Sequence, residues 1–117
     1  MGNKGVHMYH FAWMTDPSHG WLQVGWDLIS EYKYDDISSY SYHDDLYVYL
    51  EEDRDAPKWL EFLDSKGIGY SFSDFPIHTN EDSFVRNLFT WHISSPHILN
   101  AIASHHQVDT NTHYGSL

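Results

Sequence analysis

Polar and apolar positions alternate most regularly near the middle of the chain. Ser38–Tyr42 and Leu46–Leu50 are two short runs of strand-favouring residues, separated by His43-Asp44-Asp45. With Asp44 and Asp45 as the turn, Tyr42 faces Tyr47, Ser41 faces Val48, Tyr40 faces Tyr49 and Ser39 faces Leu50. Successive side chains point to opposite faces of a strand. Tyr40, Tyr42, Tyr47 and Tyr49 therefore share one face, and Leu46, Val48 and Leu50 share the other. Cross-strand aromatic pairs of this kind contribute roughly 0.2–1 kcal/mol each. The aliphatic face is the expected core side. The tyrosine face looks outward or lies under another part of the chain, as ordinary sheet filler or as a flat amphipathic binding surface.

The flanking patterns complete a motif. Val6–Trp13 reads as a first strand, and Thr15–Trp21 as a loop dense in turn residues. Trp21–Val24 is a short extension or the lead-in to a helix. Asp27–Tyr34 places Leu28, Ile29 and Tyr32 at helical spacing, and Asp35-Asp36 breaks the pattern. Asp55 reads as a helix N-cap, with Pro57 in the first turn. Trp59, Leu60 and Leu63 form the apolar stripe, and Lys66-Gly67 ends that helix. Ile68–Phe72 alternates as a strand, and Pro76 stops it. The order β-α-β-β-α-β predicts a ferredoxin-like α+β fold: a four-stranded antiparallel sheet with two helices on one face.

On this reading residues 1–77 form the α+β core and 78–117 a C-terminal extension of a single domain. His78–Asn87 is largely polar and loop-like, but Phe84, Val85, Leu88, Phe89 and Trp91 are too apolar to stay in water. Ser94 or Ser95 and Pro96 would start a short helix over His97–Ser104. The extension either covers the tyrosine face or joins a second copy through Phe89, Trp91, Ile98, Leu99 and Ile102.

Charge narrows the function classes. The formal net charge is −11, and between Asp27 and Asp64 twelve acids meet three bases. Such a surface repels phosphate backbones and attracts basic partners. Ten histidines would reduce the imbalance as they protonate near pH 6. No cysteine is present, so disulfides and thiolate metal sites are excluded, which suits a cytoplasmic setting. No apolar run is long enough to span a membrane.

Candidate chemistry is sparse. His19, in Pro-Ser-His-Gly-Trp, is placed to act as a general base, to donate to an anion or to brace its loop. Glu51, Glu52, Asp53 and Asp55 cluster where a strand meets a helix, where paired carboxylates serve acid–base chemistry or a divalent cation. Their spacing matches no cation loop, and no cofactor or resident metal is implied. His105, His106, Asp109 and His113 offer adventitious metal binding only. His78 and Arg86 flank Asn80, Glu81 and Asp82, with pairing to a neighbouring acid favoured for Arg86 over an anion site.

Three segments carry a resemblance. Asp16–Val24 (DPSHGWLQV), Ile37–Tyr42 (ISSYSY) and Val48–Ala56 (VYLEEDRDA) together resemble a family of small bacteriophage-encoded proteins with no assigned activity. His78–Arg86 extends the match, Ser18 stands where the family has glycine, and the chain from Phe89 onward lies outside the pattern. The resemblance implies a phage product acting in a bacterial host cytoplasm. Combined with the charge, the expected function is non-enzymatic: an anti-defence or host-takeover inhibitor, with nucleic-acid mimicry as one form of it, that occupies a basic, nucleic-acid-handling host protein. Its expected surface is Tyr40, Tyr42, Asp44, Asp45, Tyr47, Tyr49, Glu51, Glu52 and Asp53. The alternatives are a hydrolase-like or metal-assisted enzyme using His19 with the Glu51–Asp55 carboxylates, and a self-assembling accessory protein.

Overall fold

A computed structural model describes residues 8–92 and Ile98. The strands are β1 (Met8–Thr15), β2 (Gly20–Gly25), β3 (Tyr42–His43), β4 (Tyr47–Glu51), β5 (Gly69–Phe72), β6 (Ile77–His78) and β7 (Phe89–Thr90). The helices are α1 (Trp26–Glu31) and α2 (Asp55–Ser65), with a 3-10 turn at Phe84–Asn87. The strands join one seven-stranded sheet in the order β5-β1-β2-β4-β3-β7, and β6 also pairs with β1. β5 and β6 run parallel to β1, and the other pairs are antiparallel.

This mixed sheet overturns the ferredoxin-like expectation. The decisive element is β2, which sequence reading leaves as a lead-in to a helix. It forms a hairpin with β1 (Met14 opposite Trp21, Ala12 opposite Gln23) and sits between β1 and β4. A helix crossover from the first strand, which the split motif requires, is therefore missing. Trp21, Leu22 and Val24 are all buried, because β2 is covered on both faces. That burial erases the period-2 signal of a half-exposed strand.

Both helices pack against one face. Leu22, Val24, Val48 and Leu50 from the strands meet Leu28 and Ile29 of α1 and Ala56, Trp59 and Leu63 of α2 in one cluster. Trp59 has no exposed surface and lies edge-on to Tyr34, with ring centroids 5.0 Å apart. Each such pair adds about 0.5–1.5 kcal/mol beyond area burial. Burial pushes the Tyr34 hydroxyl well above the usual tyrosine range, reinforced by Asp36 and Asp55. α2 ends as its residues predict. Gly67 takes φ +70°, its N–H donates to Asp64 O, and the Ile68 N–H donates to Leu63 O. α1 closes with the same pair of bonds, Lys33 N–H to Ser30 O and Tyr34 N–H to Ile29 O, but here Lys33 holds φ +50°.

The central hairpin differs in register from its expectation. Tyr42 opposes Tyr49, not Tyr47, and Val48 opposes His43. A two-residue Asp-Asp turn would need left-handed backbone, and Lys33 is the one non-glycine residue with positive φ among those described. Instead Asp44 builds a wider turn. Its Oδ1 accepts from the N–H groups of Leu46 and Tyr47, and its own N–H donates to Tyr47 O. The shift is two residues, so Val48 and Leu50 still face the helices. Leu46 falls in the turn and is 69% exposed rather than core. Tyr40 leaves the sheet altogether, 59% exposed with the Arg54 guanidinium over its ring.

Asp55 explains why the chain bends away before Tyr42. It does not cap α2. Its fully buried carboxylate accepts from the Ser38 N–H, the Ser38 hydroxyl and the Ser41 hydroxyl, all through Oδ2. The Ser41 oxygen in turn accepts from the Glu51 N–H at 2.9 Å. Four residues spread over 38–55 thus share one buried polar knot, satisfying groups that would otherwise be stranded in the interior.

The chain from Ile77 to Trp91 is integral to the sheet. β6 extends the β1 edge, β7 extends β3, and Val85 and Trp91 are buried. Ser83 caps the 3-10 turn, accepting from the Val85 N–H. Among the described residues no helix is long and apolar enough to cross a membrane.

Candidate functional site

The face away from the helices carries the tyrosines, and the segment around the 3-10 turn covers part of it. Tyr49, Trp21, Met14 and Val85 form a second buried cluster, with Tyr42, Ala12 and Leu88 packed on it. Phe84 stands edge-on to Tyr49 at 5.6 Å. Tyr49 is therefore no contact surface. Burial pushes its hydroxyl up to about 12; the hydrogen bond from Gln23 lowers it, and nearby Asp44 raises it further. Tyr47 stays at the surface, Tyr42 is half-buried and Tyr40 stands apart.

The carboxylates of the expected surface divide by role. Glu51 is buried, and its Oε1 accepts from the N–H groups of Asp53 and Arg54, shaping the β4–α2 junction. Asp55 belongs to the serine knot and Asp44 to the turn. Asp45, Glu52 and Asp53 are exposed. Glu52 lies over Gly20, where a Cβ would sit 3.2 Å from its carboxylate. Two of the four acids proposed for enzymatic work are thus committed as internal acceptors.

His19 and Arg86 are brought together by a residue sequence reading treats only as part of a loop. Asp16 is buried, and Arg86 grips both its oxygens, Nε to Oδ2 at 2.7 Å and Nη2 to Oδ1 at 3.1 Å. The Asp16 carboxylate also accepts from the N–H groups of Ser18, His19 and Ser83. Arg86 foremost, with these backbone donors, holds the Asp16 carboxyl far below the usual range despite burial. The carboxylate raises the guanidinium in return. Nη2 of Arg86 also reaches Ser18 Oγ at 2.8 Å and His19 Nδ1 at 3.0 Å. Nη2 has two N–H groups, which Asp16 Oδ1, Ser18 Oγ and His19 Nδ1 share. The His19 ring stacks on Trp21. His78 joins from β6, with Nδ1 2.8 Å from Thr15 Oγ1 and Nε2 3.2 Å from Asn80 Oδ1. The acid that Arg86 grips is not a neighbouring one but Asp16, 70 residues distant in sequence; the neighbouring Asp82 lies 4.0 Å away. The arrangement braces the β1–β2 loop and spends the guanidinium on internal acceptors.

The expected self-contact fares differently at each residue. Trp91 and Ile98 are buried in the chain's own core, with Trp91 stacked on Trp26 at 5.6 Å, so neither is offered to a second copy. Phe89 is exposed while its ring stacks on His43. Leu99, Ile102 and the rest of the expected 97–104 helix lie outside the described residues, as do His105, His106, Asp109 and His113. Among the described residues no three His, Asp or Glu side chains gather as metal ligands would.

A concave feature lies elsewhere. The β1–β2 ladder stops at Ala12 opposite Gln23. Beyond that point β1 runs on with β5, and β2 runs on with β4. The strands part, and a hollow of about 340 Å³ opens, lined by Tyr9, His10, Phe11, Gln23, Gly25, Asp27, Leu28, Glu31 and Tyr47. A neighbouring hollow of about 220 Å³ shares Gly25, Asp27 and Tyr47 and adds Asp45. Among the described residues, three carboxylates, His10 and no Lys or Arg line the pair. Sequence reading missed this site. Its one legible sign is Asp27 and Glu31, four apart on α1 and so on a common face. Comparison with family models, curated proteins and solved structures returned no match to this chain.

Proposed function

We propose that this protein is an acidic docking protein that binds a basic surface on another protein. The observation that carries the reading is where its charges lie. Of the described carboxylates, all but Asp16, Asp44, Glu51 and Asp55 are exposed. The cations are few and largely engaged: Arg86 on Asp16, Lys58 on Asp36, Arg54 over Tyr40 and Lys66 over Phe62. The exposed carboxylates outnumber all the described cations, and the outward negative field that results speeds encounter with basic partners and disfavours phosphate backbones. Proteins that handle nucleic acid are the natural class of target, since they present basic faces to phosphate. The bacteriophage resemblance favours an encounter in a bacterial host, where such a protein would act as an inhibitor.

The test is affinity capture from bacterial lysate with the tagged full-length chain and a variant carrying D45N, E52Q and D53N. The reading predicts a discrete basic protein, eluted by rising salt and retained less by the variant. Capture that is indifferent to salt and to the three substitutions would overturn it.

A further inference from the structure

Resting on that reading, we infer that the hollow between β1 and β2 receives an arginine side chain of the basic partner. The chemistry of the walls selects the ligand. Asp27 and Glu31 stand on one face of α1 beside the opening, and Asp45 lies beyond the shared Tyr47. Tyr9 and Tyr47 bring aromatic rings to the lining, buried Phe11 and Leu28 bring apolar surface, and His10 and Gln23 complete it. A guanidinium is planar, stacks on aromatic rings and binds carboxylates through two parallel hydrogen bonds; an ammonium is a hydrated point charge that does neither as well. Its methylene stem suits apolar surface. The volume is at the low end of ligand sites, which run from about 300 to 1,000 Å³, and fits one side chain better than a large cofactor.

One residue of the lining, Gly25, has no side chain. Gly25 lies on the same face as Gln23 and the cross-strand Tyr47, and a Cβ built there meets nothing within 4 Å. Its backbone, φ −65° and ψ 143°, is open to any L-residue. Gly25→Leu would therefore add a side chain at the lining of the hollow without opposing the backbone.

The test is a heteronuclear NMR titration of the full-length chain with two blocked pentapeptides, Gly-Gly-Arg-Gly-Gly and its citrulline counterpart, which keeps the shape and loses the charge. The arginine peptide should shift the amides of Gly25, Asp27 and Tyr47 saturably, and the citrulline peptide should bind at least tenfold more weakly. Gly25→Leu should abolish the shifts with an unchanged melting temperature. Should that variant fold poorly, Glu31→Gln, at an exposed site, should weaken binding severalfold. The inference is overturned by equal response to both peptides, by shifts spread over the acidic surface and unaltered in both variants, or by no shift. Free arginine binding as tightly as the peptide would make the hollow a small-molecule site instead. If Gly25→Leu still captures a basic protein in a salt-sensitive way, the hollow is not the contact but the docking reading stands. If the wild-type chain captures none, the docking reading itself fails.

Discussion

Arg86 holds Asp16 through two parallel hydrogen bonds across 70 residues of sequence, tying the loop between β1 and β2 to the 3-10 turn that covers the far face of the sheet. Removing the carboxylate strands the Ser83 N–H in the interior and leaves the guanidinium without its main acceptor. Asp16→Ala should cost on the order of 3 kcal/mol in urea denaturation. The folded pKa of Asp16 lies below its unfolded value near 3.9. Its contribution is therefore complete above about pH 4–5 and is lost as pH falls from there toward the folded pKa. The wild-type chain should lose stability over that acid range, and Asp16→Asn should start lower at pH 7 and fall less steeply.

Asp55 makes the second internal anchor, and its charge can be separated from its shape. Asp55→Ala abandons two serine hydroxyls and the Ser38 N–H, and should destabilise by about 3 kcal/mol. Ser41→Ala should cost about 1–2 kcal/mol, because the Glu51 N–H loses its acceptor. Asp55→Asn keeps an oxygen where Oδ2 stands and should cost less than Asp55→Ala. Thermal melts of the three variants check the ranking.

Lys33 pays a backbone penalty at the end of α1. Its φ of +50° lies in the region that glycine adopts freely, and Gly67 fills the equivalent place after α2. Lys33→Gly should raise stability by about 0.5–1 kcal/mol, read as a higher urea midpoint at unchanged slope.

How far the residues disclose the fold depends on what each stretch contacts. α2 is legible because one face is apolar, the other is wet, and Gly67 stops it. β5 is legible for a similar reason, alternating at an edge. β2 is not, because Trp21 and Leu22 are buried on opposite faces and the strand carries no polar rhythm. The hairpin's faces were readable but its register was not, since the Asp44 side chain, rather than the backbone dipeptide, sets the turn. Asp55 has the local signature of a cap, yet Ser38 and Ser41 claim it from a distance. For the site, the acidity was plain from counting residues. The hollow was hidden because it exists only where two strands part, a property of pairing rather than of any motif. The tyrosines at 42 and 49 have the pattern of a surface, but Phe84, Val85 and Leu88, distant in sequence, pack against that side of the sheet.

Tyr49 gives an alkaline readout of that cover. Its folded pKa, about 12, exceeds the unfolded value near 10. Stability from this group is complete below pH 10 and declines as pH rises from 10 through 12. Ultraviolet titration of phenolate should show a late step near pH 12, and Tyr49→Phe should lose that share of its amplitude.

The charge-driven docking claim is tested most directly by the affinity for the captured basic partner, measured by calorimetry between 50 and 300 mM salt. A Kd that weakens at least tenfold over that range, with a smaller change in the variant lacking Asp45, Glu52 and Asp53 charges, is the predicted result. A Kd that stays constant across the range, identical for both proteins, would contradict it.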